Sequence, residues 1–296
     1  MTFKALMKPL AVAMAITSLS ACGPEEDDSA SFSLNISDAP IDSATAVYVQ
    51  FTGVELKPSE GSAIEFNFDA PKTINLLALQ EGRSEPLVSS EEIDAGSYDW
   101  MRLKVNAQNM VIDSYIEFED GTQYSLYIPS GSQTGLKLVR GFNVAVGQSA
   151  DFTIDFDLRK SIVDPKGANA DYFLKPALRV VDNTEIGEVA GSVSNTTMEA
   201  GDCLANGAVV YVFEGLDVNP DDLGSLNEPL VTANVNYDAS LNIYDYVVPF
   251  LAPGDFTAAL TCQATIDAPE ADEELLFIEA LNTSVEADQT VTLNFQ

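Results

Sequence analysis

Three cysteines, no histidine and 46 acidic residues set the chemistry open to this 296-residue chain. Without imidazole there is no Ser-His-Asp or Cys-His nucleophile, no His-bearing zinc or haem site, and no imidazole acid–base step. Carboxylates are then the abundant acid–base groups. Glycan hydrolysis by a carboxylate pair needs two of them about 5–9.5 Å apart in a cleft, one with its pKa raised by burial. Sequence does not carry that separation, and no Asp-Thr/Ser-Gly protease motif is present. Asp151, Asp155 and Asp157 share parity on one alternating run, and 217–222 and 267–274 are acidic segments. Calcium, which takes about six to eight oxygens, is the one cofactor such acids suggest. The D-x-D-x-D-G loop is absent, and a solvated acidic face is the simpler reading. Trp100, the only tryptophan, shares parity with Arg102 and Lys104. An aromatic beside a cation suits ligand stacking, although half-buried packing at a sheet edge is the commoner fate. Residues 129–135, with Ser130 and Gly131, join two strand-like runs as a hairpin connection or a recognition loop.

Only 14 Lys+Arg oppose the acids, for a net charge of -32, which excludes nucleic acid as a partner. With 46% hydrophobic residues the chain can nevertheless bury enough surface to offset its ordering entropy. Two of the cations, Lys4 and Lys8, stand before an apolar run over residues 10–16 and then small residues, the order of a secretory signal. That run is shorter than the roughly 20 residues a spanning helix needs. Leu19-Ser20-Ala21-Cys22 resembles the lipobox of bacterial lipoproteins. The resemblance implies diacylglycerol on the Cys22 thiol, cleavage after residue 21 and, with Gly23 following, an outer-membrane address facing either leaflet. Acyl chains contribute about 0.8 kcal/mol per buried methylene, enough to hold a chain on a bilayer without a spanning helix. Cleavage leaves 12 basic residues against 46 acidic, a net of -34. Residues 22–31 then form an acidic tether that repels anionic lipid. With Cys22 acylated, Cys203 and Cys262 remain, and an even count in an exported chain favours a disulfide over two buried thiols.

The elements that must carry these residues alternate with period two. Phe32, Leu34 and Ile36 do so, as do Ile64, Phe66 and Phe68, then Met101, Leu103 and Val105, and Phe152, Ile154, Phe156 and Leu158. Lys57-Pro58, Asp120-Gly121 and Pro253-Gly254 punctuate the runs as turns, and residues 74–79 form one short turn or another strand. Many short strands with one polar face predict an all-β chain, two antiparallel β-sandwiches in tandem. The polar stretch Asp182-Asn183-Thr184-Glu185 divides them, giving domains over 32–183 and 184–296, with one strand over 172–181 closing the first. Arg102 and Lys104 are expected to lie across from Asp155 or Asp157 on a neighbouring strand.

Leu34-Asn35-Ile36-Ser37-Asp38-Ala39-Pro40, Val47-Tyr48-Val49, Ala95-Gly96-Ser97-Tyr98, Gly135-Leu136-Lys137-Leu138 and Asp155-Phe156-Asp157-Leu158 resemble a bacterial lipoprotein family known as domain of unknown function 4382. Gly187-Glu188-Val189-Ala190-Gly191, Asn206-Gly207-Ala208-Val209-Val210-Tyr211 and Leu251-Ala252-Pro253-Gly254-Asp255-Phe256 are similar to carboxypeptidase-regulatory, transthyretin-like sandwiches. Those modules imply presentation rather than catalysis. The expectation is a membrane-anchored envelope lipoprotein acting as a non-catalytic binding or structural module towards glycan, peptide or an envelope protein. A carboxylate-dependent glycan hydrolase and a calcium-dependent adhesion module are the alternatives.

Overall fold

The computed structural model describes residues 28–39, 44–129, 135–164, 171–175 and 177–296. Its first thirteen strands are β1 (Ser29–Ala39), β2 (Ala46–Pro58), β3 (Ile64–Asn75), β4 (Glu85–Asp94), β5 (Gly96–Asn106), β6 (Tyr115–Glu117), β7 (Gln123–Tyr127), β8 (Leu136–Leu138), β9 (Phe142–Val144), β10 (Ser149–Asp157), β11 (Ile162–Val163), β12 (Tyr172–Leu174) and β13 (Leu178–Asp182). They form a small sheet, β13-β10-β1-β4, and a large one, β11-β12-β7-β6-β2-β5-β8, with β3 and β9 joined to β2 and β5. Alternation explains why the two layers close on each other. Phe32, Leu34 and Ile36 from β1, Ile154 and Phe156 from β10, and Leu103 and Met101 from β5 are essentially sealed from solvent in one cluster. Phe51 and Phe156 meet edge to face across the layers with centroids 6.4 Å apart.

β2 needs a parity change to stay amphipathic over its length, because Val49 and Phe51 point inward and so do Val54 and Leu56. A register shift between Phe51 and Gly53 supplies it. Glycine is required there, since a Cβ on Gly53 would stand 2.5 Å from the Phe66 carbonyl oxygen.

The remaining strands are β14 (Gly187–Val193), β15 (Val209–Glu214), β16 (Val231–Asn234), β17 (Asn236–Asp238), β18 (Ile243–Leu251), β19 (Gly254–Thr261), β20 (Phe277–Val285) and β21 (Thr290–Thr292), arranged as β17-β18-β14-β21 and β16-β15-β19-β20. Val189, Val210, Val212, Val248, Ala258, Leu260 and Phe295 fill the space between these sheets. The central strand β15 is buried on both faces. Its other side, Tyr211 and Phe213, packs beneath Leu223 from the 215–230 connection. That explains the unbroken apolar run at 208–213.

Helix is confined to short pieces: α1 (Leu158–Ser161), α2 (Asn195–Ala200) and α3 (Cys203–Asn206). Asp157 caps α1 by accepting from the Lys160 amide, and Ser194 caps α2 by accepting from the Thr197 amide. Cys203, opening α3, is bonded to Cys262 just beyond β19. No helix among the described residues is long and apolar enough to cross a membrane.

The chain is therefore the all-β sandwich that alternation predicts, with two differences. Pairing is not wholly antiparallel, because β1 runs parallel to β10, β12 to β7 and β14 to β21. Period-two patterning reports which face is apolar and is blind to strand direction. The single strand expected over 172–181 is two, β12 in the large sheet and β13 in the small one. Proline at 176 has no N–H to donate to a ladder there.

Two stability outcomes follow from this packing. Gly53→Ala should cost about 1–3 kcal/mol in urea denaturation, the usual range for forcing a methyl into a filled space. Removing both bonded cysteines (Cys203→Ala with Cys262→Ala) should cost up to about 4 kcal/mol, the loop-closure value for roughly 60 residues; an unchanged midpoint would show that the bond constrains nothing.

Candidate functional site

The outer face of the large sheet carries the Trp100 stripe. Strand register puts Glu65, Glu55, Arg102 and Lys137 in one row across β3, β2, β5 and β8. Arg102 Nη1 is 2.8 Å from Glu55 Oε2, and Lys104 Nζ is 2.8 Å from Glu65 Oε2. The Lys104 hydrogen bond holds the Glu65 carboxyl below its ordinary range. The expected pairing of Arg102 and Lys104 with Asp155 or Asp157 is thus incorrect, because β5 and β10 belong to facing sheets. Trp100 is half-buried and flanked by two cations. The Arg102 guanidinium lies 4.8 Å and the Lys137 ammonium 4.4 Å from its ring.

Lys137 also opens onto a groove of about 580 Å³ between β8, the segment following it, α1 and β13, with Leu230 closing it from the second pair of sheets. Four cations line this groove, Lys137, Arg140, Lys160 and Arg179, against one acid, Asp157. Arg140 Nη1 donates to the Val180 carbonyl. Lys160 is bonded to Glu228 and stands 4.0 Å from Asp157 Oδ2. Arg179 Nη2 donates to Asp155 Oδ2 at 2.8 Å while its Nη1 donates to the Phe250 carbonyl at 2.7 Å. Lys137 and Arg140 have no acidic partner among the described residues. Burial raises the Asp157 carboxyl above its usual range, with Lys160 pulling against it. Leu138, Leu178, Val180 and the largely exposed Val139 give the groove apolar wall between its charges.

The acidic stripe on β10 is not the solvated face its parity suggests. Asp155 is only 6% exposed, because Arg179 and the second pair of sheets cover it. Asp151 accepts from Asn183 Nδ2 at 2.9 Å and Asp157 caps α1. Each carboxylate therefore answers a protein donor, and the three do not gather around a common point. The acidic connections over 217–222 and 267–274 do meet: Asp222, Asp267 and Glu273 place carboxylate oxygens within 4.8 Å of one another, as do Asp221, Asp222 and Asp272. Of the other sequence candidates, Ser130, Gly131 and Cys22 lie outside the described residues. Lys137, Arg140, Lys160 and Arg179 were not legible as a set, because the groove is assembled from segments up to about 90 positions apart and no spacing rule links them.

The sequence matches the family described as Domain of unknown function (DUF4382) over residues 29–176. The chain belongs to that family, which accounts for β1 through β12 and most of the groove. Compared with functionally curated proteins, it matches none. Among solved structures it is similar to the Bacillus anthracis TIE protein, at 9% identity and TM-score 0.20, covering 90% of this chain but only 34% of that one. A candidate cell adhesion protein from Parabacteroides distasonis aligns at 11% identity and TM-score 0.22, covering 90% and 92% of the two chains. A candidate polysaccharide binding protein from Bacteroides thetaiotaomicron aligns at 11% identity and TM-score 0.19, covering 79% and 77%. At these values the likenesses carry no argument about what this chain does.

Arg179→Met should destabilise the protein by about 3–5 kcal/mol in chemical denaturation, because it leaves the Asp155 carboxylate buried without its counter-charge. Adding Asp155→Asn should recover most of that loss, and failure to recover would mean that Arg179 acts through Phe250 alone.

Proposed function

We propose that this chain is a cell-envelope lipoprotein, anchored through acylated Cys22, whose folded part binds an anionic polymer without turning it over, a carboxylated glycan first among such ligands. One observation carries the reading. In a chain of net charge -32, four of the few cations line one groove, and one of them, Lys137, stands 4.4 Å over the ring of the only tryptophan. The net negative charge of the chain opposes an anion overall, so these cations supply a local attraction. Arg140 and Lys137 supply charge that no acid among the described residues neutralises. Leu138, Val139 and Leu178 line the groove with the apolar contact that a sugar face requires, and the Trp100 ring adds an aromatic face next to Lys137. Among the described residues Asp157 is the one carboxylate lining the groove, whereas hydrolysis of a glycoside needs a pair. Binding without catalysis is what this lining supports.

Because Trp100 is the sole tryptophan, its fluorescence reports occupancy directly. Titrating the full chain with polygalacturonate should quench it in a saturable way, and neutral dextran should not. Lys137→Glu with Arg140→Glu should weaken that response at least tenfold, and raising salt from 50 to about 500 mM should weaken it in the wild type. Equal responses to the charged and neutral polymers would sink the anionic-ligand reading. Anchoring is tested separately by metabolic labelling with a fatty-acid precursor: Cys22→Ala should abolish incorporation, and equal labelling would exclude Cys22 as the anchor.

A further inference from the structure

The 215–230 connection is laid over the outer face of β15, where Leu223 packs on Tyr211 and Phe213. It is pressed against the 267–274 segment so closely that a Cβ on Gly224 would fall 1.4 Å from the Ala271 carbonyl oxygen. The two connections are cross-bonded. Leu223 N donates to Asp267 Oδ1 at 3.1 Å, and Glu273 N donates to Asp222 Oδ2. Tyr211 donates its hydroxyl to Asp267 Oδ2 and accepts from Arg159 Nη1 at 3.2 Å. Asp222 is fully buried, and its second oxygen, Oδ1, has no hydrogen-bond partner among the described residues.

A carboxylate oxygen sealed from water without a donor is costly unless something positive meets it. No lysine or arginine forms an ion pair with Asp221, Asp222, Asp272 or Glu273 among the described residues. We propose that Asp222, Asp267 and Glu273, with Asp221 and Asp272 at the rim, bind a hard divalent cation of calcium's class that clamps the two connections together. The geometry admits it. Calcium–oxygen distances of about 2.3–2.6 Å put ligand oxygens on one ion roughly 5 Å apart at most, and the carboxylate oxygens of Asp222, Asp267 and Glu273 lie within 4.8 Å of one another. The donor chemistry selects the class of metal. Every candidate ligand is an oxygen, the chain has no histidine, and Cys203 and Cys262 are bonded to each other. Soft-metal sites are therefore not formed here. Ligands drawn from two connections, with partly exposed carboxylates at the rim, suit the larger and more adaptable calcium ion better than the rigid octahedron of magnesium.

This site shares no residue with the groove, so it stands or falls independently of the glycan reading. The test is thermal unfolding of the chelator-stripped full chain with and without millimolar calcium chloride. The midpoint should rise by several degrees, return to baseline with excess EGTA, and rise much less with magnesium chloride at matched ionic strength. Asp222→Asn should remove the calcium response without lowering the metal-free midpoint, since it replaces an uncompensated charge by a neutral group of the same shape. Glu273→Gln provides the same readout if Asp222→Asn fails to fold. The proposal is overturned by no calcium response in the wild type, by an undiminished response in both variants, or by equal responses to the two salts.

Discussion

The Arg179 guanidinium is the contact on which the arrangement of the two pairs of sheets depends. It is planar, permanently charged and forked, and it satisfies Asp155 with one nitrogen and the Phe250 carbonyl with another. Without it, the end of the small sheet that faces β16 and β18 would bury a carboxylate against strand backbone. Such buried pairs contribute little net stability compared with an apolar substitute, but they penalise every alternative docking that leaves the charge unmatched. Arg159 with Tyr211 is a second buried link across the junction, whereas Lys160 with Glu228, Lys175 with Glu270 and Asn236 with Glu81 lie nearer solvent and are individually weak. Arg179, with the buried Arg159–Tyr211 bond beside it, therefore specifies the docking, and the exposed pairs accommodate it.

Charge distribution follows from the same scarcity of cations. With so few Lys and Arg, each one spent on an internal acid is unavailable elsewhere. Arg102 and Lys104 answer Glu55 and Glu65 within the large sheet, and Arg179 answers Asp155. Lys137 and Arg140 are left facing the groove with no ion-pair partner among the described residues. Their positive potential is short-ranged within an otherwise negative field, which confines recognition to ligands that reach the groove wall.

Much of the fold was legible because period-two alternation is a direct imprint of a sheet with one buried face. Phe32, Leu34 and Ile36, or Met101, Leu103 and Val105, go inward as their parity requires. Alternation fails where a second layer covers the polar face. Asp155 reads as solvent-facing and is buried beneath Arg179, and 208–213 reads as featureless grease because β15 is covered on both sides. Strand neighbours were the other blind spot. Acids so outnumber bases that an Arg on any strand has several plausible partners, and only the sheet order shows that Arg102 meets Glu55 across β2 rather than Asp155. The groove was invisible for a related reason: it is a property of docking, and no stretch of the chain contains it.

The short helix α1 ties these observations together. It is one turn long, nucleated by the Asp157 cap at the end of β10, and its consecutive basic residues diverge. Lys160 reaches the groove and Glu228, whereas Arg159, almost fully buried, reaches Tyr211 and through it Asp267. A helix this short has no stability of its own, so its orientation is set by its cap and by what its side chains grip. The groove wall and the floor of the acidic connections therefore rest on the same four residues. A change in the docking of the two pairs of sheets would disturb both places, whereas a change confined to a distant edge such as β4 would disturb neither.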